Sequence, residues 1–119
     1  MINFSKFDVV VVKFPFASSL KYKARPAVII SSDIYNENSR NTSLILAISS
    51  NVENKLGFEL EIKNWEKSGL LKPSIFKASV ATIENNFIIN KLGTLNDDDT
   101  KRINKFLEII CWKMKNDTK

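Results

Sequence analysis

Residues 9–12 are four consecutive valines, and Pro15 follows them closely. β-branched side chains favour strands, and an uninterrupted apolar run of this length is typical of a strand buried on both faces. Further strands are predicted at residues 27–30, 44–48, 58–63, 73–81 and 88–95, with polar loops that include residues 15–24 and 31–43. Because these strands follow one another through short polar connections, the pattern favours an antiparallel barrel or sandwich.

The predicted strand at residues 58–63 alternates apolar and polar side chains. Such alternation is typical of a strand with one face in the core and one face in water. Glu59 and Glu61 are therefore expected to project into solvent.

The hydrophobic period changes to that of a helix after residue 95. Asn96 is a favourable N-cap residue, and Asp97, Asp98 and Asp99 follow where the helix dipole favours negative charge. Asp99 also occupies the capping-box position. One apolar helical stripe follows, formed by Ile103, Phe106, Leu107, Ile110 and Met114. We therefore predict a single domain over residues 1–119, with a mainly β fold of five to six antiparallel strands and a C-terminal helix.

The composition excludes several kinds of chemistry. The chain of 119 residues contains no histidine and one cysteine. Histidine-based triads and dyads, zinc sites and an intramolecular disulfide are thereby excluded. No apolar run has the length of a membrane span or the form of a signal peptide, so a cytoplasmic protein is expected. The net charge of +5 weakly favours a polyanionic partner, either nucleic acid or an acidic protein.

Cations and aromatic side chains are interleaved between residues 13 and 25, where no acidic residue occurs. The members of this basic segment are Lys13, Phe14, Phe16, Lys21, Tyr22, Lys23 and Arg25. Such a segment suits single-stranded nucleic acid, because cations contact phosphates and aromatic rings stack on bases. The alternative is an ordinary surface loop with solvated lysines and inward-packed rings.

Several short motifs occur in an order and spacing that is informative as a set. They are Phe-Pro-Phe at 14–16, Arg-Pro and a strand at 25–31, Ala-Ile-Ser-Ser at 47–50, Gly-Leu-Leu-Lys-Pro-Ser at 69–74, Thr-Ile at 82–83 and Lys-Leu-Gly-Thr-Leu at 91–95. Over about residues 7–112 the chain resembles the PemK/MazF toxins of bacterial toxin–antitoxin systems. The resemblance implies an SH3-like barrel with a C-terminal helix, assembled as a homodimer.

The resemblance also implies an activity. It predicts a sequence-specific, metal-independent endoribonuclease that cuts single-stranded RNA by attack of the 2′-OH on the adjacent phosphate, with no cofactor. An acidic antitoxin protein would be its partner. Two alternatives stay open: a toxin like CcdB that binds DNA gyrase, and a weakened relative that binds RNA without cutting it.

The matching positions give the candidate site residues. Arg25, Ser49 and Lys77 are the expected catalytic residues, and Arg25 has a planar fork that can bind two phosphate oxygens. Ser49 is alternatively a strand-end residue that bonds backbone, and Ser50 takes its place if the register differs by one residue. The expected RNA-binding residues are Phe16, Lys21, Lys23, Ser50 and Ser79. Lys77 and Ser79 stand where PemK-like members have Arg and Asp, and no general base is assigned.

Overall fold

The computed structural model describes residues 4–15, 22–52 and 59–111. Its elements in chain order are β1 (Asp8–Pro15), β2 (Tyr22–Ile29), α1 (Asp33–Asn38), β3 (Thr42–Ser49), β4 (Leu60–Glu61), β5 (Ile75–Glu84), a 3-10 turn (Asn85–Phe87), β6 (Ile88–Thr94) and α2 (Asp97–Cys111). No helix among these described residues has both the length and the apolar character needed to cross a membrane.

The six strands form one sheet in the order β4-β5-β3-β2-β1-β6, and every neighbouring pair is antiparallel. β1 and β6, which lie at opposite ends of the described strands in the chain, are also neighbours in the sheet. The predicted fold class, mainly β with a C-terminal helix, is confirmed.

Buried side chains alternate between two hydrophobic clusters on opposite faces of the sheet. Val9 packs in the first cluster, together with Ile103 and Phe106 of α2. Val10 and Val12 pack in the second cluster. The valine run is apolar throughout because β1 has a hydrophobic cluster on each side.

Some boundaries differ from the prediction. β2 begins at Tyr22, inside the predicted loop at residues 15–24, because its first residues pair with β1 as far as Pro15↔Tyr22. Backbone pairing with β1 extends this strand over residues whose side chains do not show a strand-like apolar pattern. The segment 31–43 contains the short helix α1, whose Ser32 side chain accepts a hydrogen bond from the Tyr35 N–H.

The predicted N-cap of α2 is confirmed, since Asn96 Oδ1 accepts a hydrogen bond of 3.0 Å from the Asp99 N–H. Asp99 itself does more than cap the helix. Its carboxylate is fully buried and accepts the backbone N–H groups of Lys63 and Asn64, at 3.0 and 2.9 Å. Asp99 therefore fixes α2 to the segment that follows β4.

Two glycines allow the turn after that segment to contact β6 through backbone atoms. Gly69 has φ of +89°, and a Cβ placed on it would lie 2.2 Å from the Leu92 carbonyl oxygen. A Cβ on Gly93 would lie 2.5 Å from the Ser68 carbonyl oxygen. These glycines are required by the close approach of the two backbones, and by positive φ at Gly69.

We predict that Gly69→Ala lowers the free energy of unfolding by about 2 kcal/mol or more, because positive φ and a backbone clash both oppose the methyl group. Urea denaturation measures the change. Leu71→Ala is the control: this neighbour in the same turn is 93% exposed. A loss for Gly69→Ala no larger than that for Leu71→Ala would show that the turn adjusts without cost.

Candidate active site

Arg25 and Ser49 occupy neighbouring strands at the same end of the sheet. The β2–β3 ladder ends at the pair Ala27↔Ala47, so Arg25 and Ser49 each lie two residues beyond its last pair. Side chains two residues apart in a strand return to the same side, so Arg25 shares the face of Ala27 and Ser49 that of Ala47. The Arg25 side chain is exposed and that of Ser49 is half-buried. Both residues therefore lie on one face of the sheet, near the end of the β2–β3 pair.

Lys77 belongs to the same face through β5. Ser49 pairs with Ile75, and Lys77 follows two residues later, where strand side chains return to the same side. The β3–β5 register then shifts between the pairs Ile48↔Phe76 and Leu46↔Val80. Such irregularities re-aim the side chains that they contain. We infer that Arg25, Ser49 and Lys77 form one group across β2, β3 and β5.

The ammonium of Lys77 is paired with the carboxylate of Glu59, the residue that precedes β4. Lys77 Nζ lies 3.3 Å from Glu59 Oε2, and the two side chains are 29% and 4% exposed. The expectation that Glu59 projects into solvent is therefore wrong. β4 pairs with β5 through Leu60↔Phe76, so Glu59 falls opposite Lys77 and its carboxylate is covered there. Glu61 is exposed, as predicted.

Ser49 uses its hydroxyl oxygen locally. Its Oγ accepts a hydrogen bond of 3.1 Å from the Asn51 N–H, which matches the alternative interpretation of a strand-end residue that bonds backbone. A hydroxyl can donate while it accepts. The Ser49 O–H can therefore still donate to a phosphate oxygen.

Ser50 directly follows the end of β3 and is exposed. It borders a cavity of about 390 Å³. The residues around this groove are Val11, Ala24, Arg25, Pro26, Ser50, Gly69, Leu70, Leu71, Lys72, Ser74 and Leu92. The structure therefore separates Ser50 from Ser49, while Arg25 borders both the groove and the Ser49 face.

The other predicted RNA-binding residues divide into two sets. Lys23 is exposed on β2, two residues from Arg25 and on the same face, and Ser79 is exposed on β5. Phe16 and Lys21 lie outside the described residues. The cationic surface on the described part of β2 thus includes Lys23 as well as Arg25.

A second cavity, of about 980 Å³, lies near the other end of β3 and is lined by asparagines, including Asn41, Asn85 and Asn86. None of the predicted catalytic residues borders it. The amides partly bond one another, as in the 3.2 Å contact from Asn85 Nδ2 to Asn41 Oδ1. Its greater volume does not make it the candidate site, because the cation that borders it, Lys91, is paired with Asp8 at 3.3 Å.

Glu59 is the residue that sequence reasoning missed. The alternating pattern gives its strand a period but not a partner, and the 3.3 Å pair with Lys77 depends on the β4–β5 register. The signal that could have identified Glu59 is the presence of an acidic residue and a cationic residue on two segments that pair as antiparallel strands.

The fold matches known structures over nearly its whole length. MazF from Deinococcus radiodurans superimposes with a TM-score of 0.71 at 14% identity, covering 91% of this chain and 96% of that chain. An endoribonuclease in complex with its cognate antitoxin, from a mycobacterial species, gives 0.69 at 14%, covering 92% and 94%. Mycobacterium tuberculosis toxin MazF-mt6 gives 0.69 at 16%, covering 87% and 94%. At these identities the matches establish the fold.

The architecture is thus that of small toxins built from an antiparallel sheet and a C-terminal helix. The sequence model of the PemK-like, MazF-like toxins of type II toxin–antitoxin systems matches residues 5–111. The chain belongs to this family. A comparison with curated protein sequences found no significant match.

Proposed function

We propose that this toxin is a metal-independent endoribonuclease that cleaves single-stranded RNA at specific sequences. The observation that carries the proposal is that Arg25, Ser49 and Lys77 lie on three neighbouring strands of the sheet, β2, β3 and β5, with Arg25 exposed. Membership of the PemK/MazF family supports it, and favours it over gyrase binding. Two of the structures with the same fold are described as endoribonucleases.

In the proposed reaction the 2′-oxygen attacks the adjacent phosphorus and loses its proton. The bond from phosphorus to the 5′-oxygen breaks, and that oxygen gains a proton. The products are a 2′,3′-cyclic phosphate and a 5′-hydroxyl end. Arg25 donates two N–H groups to non-bridging oxygens, Ser49 donates its O–H, and Lys77 adds a positive charge.

RNA binding is proposed to extend beyond the reacting phosphate. Lys23 contacts a neighbouring phosphate, since it lies beside Arg25 on β2. Lys21, Phe16, Ser50 and Ser79 are proposed as further RNA contacts. Phe16 would stack on a base.

An acidic antitoxin is the proposed protein partner. The family comprises toxins of two-component systems, and the net charge of +5 favours an acidic segment. A mycobacterial structure with this fold is described as a complex with its cognate antitoxin. We further propose that the toxin acts in the cytoplasm as a homodimer.

The test is incubation of the purified protein with several single-stranded RNAs in excess EDTA. We expect cleavage at micromolar protein, with 2′,3′-cyclic phosphate ends. A 2′-deoxy substitution at the cut site is expected to abolish cleavage, because it removes the nucleophile.

Two results would contradict the proposal. Salt-sensitive RNA binding without cleavage would indicate a weakened RNA-binding relative. Intact RNA together with inhibition of gyrase supercoiling would indicate a toxin that acts like CcdB.

A further inference from the structure

The ion pair between Glu59 and Lys77 differs from an ordinary surface salt bridge in where its two groups lie. The Glu59 side chain is 4% exposed, whereas Lys77 keeps 29% of its surface accessible. The carboxylate is therefore buried behind the ammonium. Lys77 lies on β5, the strand that pairs with Ser49 through Ile75, so its accessible surface lies two residues from that pair.

We propose that Glu59 is a positioning residue, which holds the Lys77 ammonium in the direction required to contact the reacting phosphate. This inference rests on the proposed ribonuclease function. An ammonium has three donors, and one is directed to Glu59 Oε2 at 3.3 Å. Two donors are left for substrate oxygens. A flexible lysine has no fixed fork of its own, so a restraint on its end group reduces the freedom lost on binding.

Two other roles for Glu59 agree less well with the geometry. A general base must come within hydrogen-bond reach of the 2′-OH, and a carboxylate that is 4% exposed offers little access. A purely stabilising role is also poorly supported, because a buried ion pair often contributes no more stability than apolar residues of similar volume.

The experiment measures single-turnover cleavage of an RNA that the unmodified protein cuts, and binding of the same RNA with 2′-O-methyl groups. Glu59→Gln removes the charge and keeps the shape. Glu61→Gln is the matched control, because it makes the same charge change two residues further along the chain, at an exposed position. A double-mutant cycle is completed by Lys77→Met and by the double variant Glu59→Gln/Lys77→Met. The cycle measures whether the two side chains act on the cleavage rate independently.

We expect Glu59→Gln to lower the cleavage rate about 10- to 100-fold, as small misplacements of a catalytic group do. Binding of the methylated RNA is not expected to weaken, since removing an acid raises the net positive charge. Glu61→Gln is expected to cut RNA at the rate of the unmodified protein. In the Lys77→Met background, Glu59→Gln is expected to change the rate less than about 2-fold, because the group it positions is gone.

Several outcomes overturn the inference. If Glu59→Gln cleaves RNA at the same rate as Glu61→Gln, Glu59 does not position Lys77, while the ribonuclease function still holds. Rate losses that multiply in the double variant overturn the inference too, because they show independent roles. If the unmodified protein leaves RNA intact, the ribonuclease function itself fails. If Glu59→Gln has a lowered melting temperature, Glu59→Asp is measured in its place. The shorter Asp side chain draws the carboxylate away from Lys77. A cleavage rate of Glu59→Asp near that of the unmodified protein would then overturn the positioning role.

Discussion

Arg25→Ala is expected to lower the rate of RNA cleavage by about 10³-fold, the upper range for loss of a donor that stabilises transition-state charge. The guanidinium is expected to supply two hydrogen bonds and a full charge to the phosphate, and alanine removes them all. The rate constant under single-turnover conditions, at saturating protein and in excess EDTA, is the quantity to measure.

Two companion variants separate charge from geometry. Arg25→Lys keeps the charge but loses the fork, so we expect an intermediate loss of about 10- to 100-fold. Arg40→Ala removes an equally exposed arginine outside the site and is expected to have the rate of the unmodified protein. Because the Arg25 side chain is exposed, the melting temperatures of the two Arg25 variants should differ little from that of the unmodified protein. Full cleavage by Arg25→Ala would rule out the assignment of this residue.

Asp99→Ala is expected to lower the free energy of unfolding by about 3 kcal/mol, because two backbone N–H groups lose a charged acceptor. The carboxylate has no solvent exposure and bonds Lys63 and Asn64 at 3.0 and 2.9 Å. Arg102 Nε, which lies 3.8 Å from the Asp99 carboxylate, also loses its counter-charge. Urea denaturation, with the slope and midpoint analysed together, gives the measurement.

Asp98→Ala is the matched control for this variant. Asp98 lies in the same first turn of α2 but is exposed, so only its interaction with the helix dipole is lost. That loss is expected to be about 0.5 kcal/mol. Equal losses for the two variants would mean that the contacts of Asp99 with the segment after β4 contribute nothing to stability.

The sequence predicts features that depend on nearby residues. α2 was predictable because Asn96, the three aspartates and the apolar stripe all act within a few residues of one another. The valine strand was predictable because both of its faces are apolar. Arg25 and Ser49 were candidates through family motifs, and they lie on two strands that pair with each other, β2 and β3.

Features that depend on distant partners were not predictable from local patterns. Glu59 has the pattern of a solvent-facing residue, and only the β4–β5 register places it against Lys77. Asp99 has the pattern of a helix cap, but its carboxylate bonds residues 36 and 35 positions earlier in the chain. In both cases the missing information is which strand or segment lies opposite.

The pairing of β1 has a consequence for how the chain folds during synthesis. β1 pairs with β2 in a hairpin, but its other edge pairs with β6, where Asp8 meets Thr94. A nascent chain can therefore form the hairpin early, while the other edge of the valine strand stays open until residues 88–94 leave the ribosome. Over that interval the open edge of the valine strand can pair with another chain, so β6, the last strand of the sheet to be made, also protects the first.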